Sequence, residues 1–274
     1  MSPASLDWAK PRSPDGLTCC TSFRSRVVIF RVYRPGSRPP GPGSTKACPE
    51  LDAVRPLVPA LLALIQREPA HQAEAASALA LLVSSEPSLQ EVAVARHAFP
   101  ALQRALSAPV LPGQPYATPA ALAGAWRAAE ALLGLVGALL ANDEGHRQHA
   151  VAAGLVGALL AALAHASADV RASGARALRG LSRSPHILRT GMLGEAVGEK
   201  VMGLIAEGQE ERVVEAGLGL VSNLVLEFSP VQGELVRLGV VERLSELVRV
   251  GGRGVRVEAL FALKNGELEK RLGC

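Results

Sequence analysis

Between residues 209 and 249 the apolar positions fall into one long helical pattern and two short ones. Val213, Leu220, Leu224 and Leu226 recur at the spacing of a helix that buries one face. Ser229-Pro230 is expected to stop that run, because proline has no amide hydrogen to donate and restricts the residue before it. A short amphipathic piece follows from Gln232 to Leu238, then Gly239, then a second piece with Val241, Leu244, Leu247 and Val248 on one stripe.

The outline recurs. Arg171, Val214 and Arg256 open matching long helices, 43 and then 42 residues apart, and each is followed seven residues on by an apolar position: Leu178, Val221, Leu263. Trp126-Arg127 begins a fourth such helix, another 43 residues upstream of Val170-Arg171. The links repeat too, since residues 147–167 align with 232–252 and each has a glycine between two short helices. Upstream, DAVRPLVPALLALIQ, AHQAEAASALALLVSS and SLQEVAVARHAFPALQRALS give the first long helix and the short pair of the next unit. Between Ser107 and Thr118 lies APVLPGQPYA, an inserted loop that stretches the first step to 55 residues, counted from Gln72 to Arg127. A period of about 40–47 residues is that of armadillo and HEAT units. The expectation is an all-α, armadillo-type right-handed α-solenoid of about four to five repeats over residues 51–274.

Composition agrees. The chain is 49% hydrophobic and 3% aromatic, so its core is made of Ala, Leu and Val, which suits close-packed helices better than a sheet sandwich. Two apolar windows, at residues 122–141 and 149–166, resemble membrane helices. The first contains Arg127 and Glu130, the second is bounded by histidines, and the repeat already accounts for both. The last long helix is followed only by GELEKRLGC, so Leu260, Leu263 and Phe261 are expected to lie exposed and to favour self-association. A truncated protein or an incomplete gene model is the expectation there.

The net charge of +4 is unevenly placed. Residues 1–49 hold eight basic residues against Asp7 and Asp15, whereas residues 50–274 hold 21 basic and 23 acidic. A nucleic-acid reader needs its positive charge on the folded surface that meets phosphate, which argues against that class. Residues 1–50 form a Pro/Gly/Arg-rich tail, expected to be disordered or the product of a wrongly assigned first exon, with a mitochondrial presequence as the other reading. Cys19, Cys20, Cys48 and Cys274 lie outside the repeats, with no C-x-x-C pair, so neither a disulfide framework nor a zinc site is indicated and a reducing compartment suits them.

Residues 223–248, NLVLEFSPVQGELVRLGVVERLSELV, and 256–266, RVEALFALKNG, resemble the armadillo-repeat subunit of the GID/CTLH ubiquitin ligase. Asn223, Leu224, Glu227, Phe228, Ser229 and Pro230 match one motif of that family, and Arg256, Val257, Ala262, Leu263 and Asn265 match another. The resemblance covers about a quarter of the chain well, and the family's proteins are longer. It implies a non-catalytic scaffold of the cytoplasm and nucleus, with protein subunits of a ubiquitin ligase (a substrate receptor and a core scaffold) as partners. No cofactor, metal, nucleic acid, membrane or small-molecule substrate is implied.

Other classes fare worse. The chain has no G-x-S-x-G elbow, phosphate-binding G-x-x-x-x-G-K-[ST] loop or H-E-x-x-H pair. Gly217-x-Gly219 lacks its third glycine and is read as close helix packing. His146 and His149 lack a third metal ligand and are read as helix-surface residues, with Asp143-Glu144 opening their helix. A nuclear-import receptor would require Trp-x-x-x-Asn along successive third helices. Here Arg176, Gly219 and Phe261 occupy the tryptophan positions, and Gly180, Asn223 and Asn265 the asparagine positions. A general armadillo adaptor, such as a chaperone cofactor or an import-type cargo binder, is the alternative.

The candidate partner-binding residues follow from the register. Arg176, Arg179 and Arg183 share one stripe of a third helix, with Val170, Gly174, Leu178 and Leu181 on the other side. Carried forward, the register adds Gly219 and Ser222, then Phe261 and Lys264, with Asn223 and Asn265 beside them. One reading of the arginines is a solvated helix face; on the other, small residues in the middle are expected to leave room for an acidic segment or a chain-end carboxylate, held by the arginine forks.

Overall fold

In the computed structural model, residues 53–107, 118–190 and 197–267 are described, and among them every regular element is helical. The tail of residues 1–50, the inserted loop and the last seven residues lie outside the described residues. Fourteen helices run in chain order: α1 Leu57–Arg67, α2 Gln72–Ser85, α3 Ser88–Ala95, α4 Ala98–Ser107, α5 Pro119–Leu139, α6 Glu144–Ala152 and α7 Leu155–Leu163. They continue with α8 Ala168–Leu181, α9 Pro185–Arg189, α10 Val197–Leu204, α11 Glu211–Leu224, α12 Gln232–Arg237, α13 Val240–Val250 and α14 Arg253–Asn265. A 3₁₀ turn, Pro69–His71, joins α1 to α2.

These group into a two-helix first unit, α1–α2, and four three-helix units ending in α5, α8, α11 and α14. The long third helices stack in that order, each on the next, and each also packs on a second helix of its own unit: α1, α4, α7, α10 or α13. Val170, Leu178 and Leu181 of α8 are fully buried, as the periodicity requires. One core cluster runs from Val58 to Leu263. A fully buried leucine stabilises by about 2 kcal/mol and an exposed ion pair by less than ~1, so stacking of the apolar faces holds the units together. By length and composition α5 could cross a membrane. Here it lies between α2 and α8, with Ala128, Ala129, Leu132, Leu133, Leu135, Val136 and Leu139 buried.

The turns explain the glycines. Gly154 and Gly239, between first and second helices, have φ of 79° and 82°, a left-handed conformation that costs a side chain energy. In the second unit the same turn falls on His97, with φ 58°. Asp143 caps α6 as expected, its side chain accepting from the His146 amide at 2.9 Å, and that bond holds its carboxyl below the ordinary range. Two sequence readings need correction. The α11 helix ends at Leu224, before Leu226 and well before Ser229-Pro230. Just past its end, the Val225 carbonyl accepts from Gln232 Nε2 at 2.9 Å. His146 is buried rather than on the surface, its Nδ1 lying 3.3 Å from the Leu139 carbonyl.

Neighbouring third helices are tied together. Glu74, in the first turn of α2, pairs with Arg127 in the middle of α5 at 2.9 Å, and Asp169 and Arg212, in the first turns of α8 and α11, pair at 3.1 Å. At their last turns, a polar side chain seven residues before each left-handed turn bridges two successive helices. Gln90 Nε2 donates to Val83 and Ala138 carbonyls at 3.0 and 3.3 Å, and Gln232 Nε2 donates to Val225 and Gly266 at 2.9 and 3.3 Å. In the third unit Arg147 does the same, with Nη2 to Ala141 at 3.2 Å and Nε to Gly180 at 3.1 Å. Orphan carbonyls at helix ends need donors, and this seam supplies them.

Candidate functional site

The face of the third helices turned away from the second helices is set by two glycines on α11. A side chain at Gly217 would meet Leu204 Cβ at 2.8 Å and Ile205 Cγ2 at 3.1 Å, so Gly217 is packed against α10, as read from the sequence. Gly219, two residues on, lies roughly 200° round the helix and faces the other way. On α8, Gly174 meets Ala162 of α7 and Arg176 stands opposite in the same sense. The stripe Arg176, Gly219, Phe261 therefore runs along the open face.

The structure distributes the eight candidate residues unequally. Arg176, Phe261 and Lys264 are exposed, Phe261 by 53%. Arg183 is exposed and its Nη1 reaches the Ala141 carbonyl at 3.4 Å. Partial burial, with Arg179 and Arg147 nearby, pulls its pKa below the usual arginine value. Asn223 donates to the Arg179 carbonyl at 3.2 Å and to Ser182 Oγ at 2.9 Å, and Asn265 donates to the Ser222 carbonyl at 3.0 Å. These asparagines join neighbouring third helices. Ser222 is buried, and its hydroxyl donates to Leu218 in its own helix at 3.0 Å, which withdraws it from the open face.

Arg179 departs most from the sequence reading. Gly219 leaves no empty room, because the Arg179 side chain lies over it, with Cζ 2.8 Å from where a Cβ would stand. The guanidinium passes across α11 to α14, where Nη2 lies 3.5 Å from Glu258 Oε2. Glu258 escaped sequence reasoning, although its place three residues before Phe261 puts it on the same helix face. Leu263 also differs, being buried at 8% exposure, while Leu260 is exposed as expected.

Among the described residues no group of three or more His, Cys, Asp or Glu stands close enough to hold a metal ion. A shallow depression on the other side, between α10 and α13, is lined by Met202, Ala206, Leu238 and Glu242. Arg243 beside it is committed, with Nε on the Ile205 carbonyl at 2.6 Å and Nη1 on Glu246 at 2.6 Å.

Stacked units with tied third helices and one open face define an armadillo-repeat solenoid. No family model matches the chain. Over 137 residues, half of this chain, it is 33% identical to Armadillo repeat-containing protein 8 of Danio rerio and 31% identical to the Mus musculus protein of that name. Over 136 residues it is 27% identical to GID complex subunit 5 of Schizosaccharomyces pombe. These stretches are 20%, 20% and 17% of the relatives, so the match spans about a fifth of their length. Among solved structures, an engineered protein aligns with a TM-score of 0.65 at 18% identity, covering 76% of this chain and 80% of its own. A designed armadillo repeat protein in complex with the peptide (KR)4 aligns with a TM-score of 0.63 at 15% identity, covering 79% and 86%.

Proposed function

We propose that this chain is a non-catalytic scaffold of a GID/CTLH-type ubiquitin ligase, present in cytoplasm and nucleus, whose open face joins a substrate receptor to the ligase core. The observation that carries it is the line of third helices presenting Arg176, Arg183, Phe261 and Lys264 on one face that is exposed among the described residues. The names of the relatives, Armadillo repeat-containing protein 8 and GID complex subunit 5, support the assembly, and the (KR)4-bound design supports the use of such a face for an extended peptide. That design takes a basic peptide. Cations on this open face favour an acidic segment instead, through charge-assisted hydrogen bonds.

Affinity capture of the full chain from its native source, with wild type beside Arg176→Glu, tests the reading. Wild type should recover ligase subunits including a RING-bearing one, the variant should lose its partner with helicity unchanged, and added salt should weaken capture. Recovery of import cargo or a chaperone in place of ligase subunits would favour a general adaptor.

A further inference from the structure

The Arg179–Glu258 pair crosses the open face over Gly219, between units two steps apart. At 3.5 Å it is attracted electrostatically but lies beyond a good hydrogen bond, and Glu258 Oε2 is a buried oxygen with no hydrogen-bond donor. A buried carboxylate oxygen without a donor is costly, so the fold leaves one acceptor unsatisfied on the surface proposed above. Oε2 itself is closed to solvent, but the Glu258 side chain as a whole is 28% exposed, so a cation arriving from solvent is drawn to its carboxylate from the exposed side. Arg176, by contrast, is an exposed cation with no partner among the described residues.

Resting on the reading of this face as a peptide groove, we infer that the bound segment is of mixed charge, with a carboxylate on Arg176 and a lysine or arginine on Glu258. Arg179 does not serve as the partner's anchor, because taking a second carboxylate would pull it from Glu258 and leave that acid unpaired.

Two dye-labelled 12-residue peptides test this against the full chain by fluorescence anisotropy. Both carry aspartates in a Gly/Ser background; the first has lysines interspersed with the aspartates, and the second has glutamine in place of each lysine. The first should bind about fivefold tighter, a partly exposed pair being worth roughly 1 kcal/mol. Glu258→Gln should erase that preference, and Arg176→Glu should abolish binding of both. The double variant Arg179→Glu with Glu258→Arg keeps an ion pair and should prefer a third peptide with aspartate in place of lysine. Equal binding of the first two peptides, or a preference that survives Glu258→Gln, overturns the role of Glu258. If both peptides still depend on Arg176, the groove reading stands. Binding of neither peptide overturns both.

Discussion

Asn265 donates its side-chain amide to the carbonyl of Ser222 at 3.0 Å, 43 residues earlier in the chain, and so fastens the last described third helix to the one before it. Asn223 makes the equivalent bond to Arg179 at 3.2 Å. Residues that a sequence reading assigns to the partner thus have a structural task as well.

Asn265→Ala should therefore lower stability by about 1 kcal/mol, the usual net worth of one such bond, and Asn223→Ala by somewhat more, since Ser182 also loses its donor. Chemical denaturation of both variants measures this. Unchanged midpoints would show that these bonds add nothing to stability.

His97 carries a left-handed backbone where the other two described turns of this kind have glycine. His97→Gly should stabilise by about 0.5–1 kcal/mol and Gly154→Ala should destabilise by about 1, because only the glycine adopts that conformation without a steric cost. Thermal melting decides it, and a destabilised His97→Gly variant would contradict the conformational account.

Gly134 in α5 and Gly217 in α11 should respond to alanine with opposite signs. A Cβ at Gly134 meets nothing within 4 Å, so Gly134→Ala should gain up to about 1 kcal/mol from helix propensity. At Gly217 it meets Leu204 at 2.8 Å, and overpacking should cost about 1–3 kcal/mol. Equal effects at the two sites would refute the packing assigned to Gly217.

His165 accepts from the Ser167 amide at 3.0 Å through Nδ1 and meets Trp126 edge-on at 5.6 Å. Burial, with a smaller contribution from Arg171, lowers its pKa below the ordinary histidine value of 6.5. The folded state thus favours the neutral ring. Its contribution is complete above pH ~6.5 and is lost as pH falls through the lower folded value. Stability should decline below that pH in wild type and decline less in His165→Phe. Parallel pH profiles would remove His165 from the explanation.

The repeat was legible because Leu and Val at a fixed step and glycine at a left-handed turn are requirements of the backbone itself, which leaves few alternatives. The seam was not, because Gln90, Arg147 and Gln232 do one job with unlike side chains, and periodicity reveals a face but not what a long polar group reaches. Arg179 shows the same limit at the candidate site. Sequence alone placed it beside Gly219 and suggested space, whereas the flexible three-methylene stem and guanidinium of Arg179 turned that space into a passage to Glu258.

The ties between the third helices have a mechanical consequence. The Gln90, Arg147 and Gln232 bridges, with Asn223 between α8 and α11, mean that no described third helix can slide along its neighbour without breaking hydrogen bonds. The distance from Arg176 to Phe261 is then a property of the solenoid and not of whatever lies upon it. On the proposed reading such a face works as a ruler: it would select among incoming chains by the interval between their charged residues, and a chain with the right residues at the wrong interval would not stretch the protein to fit.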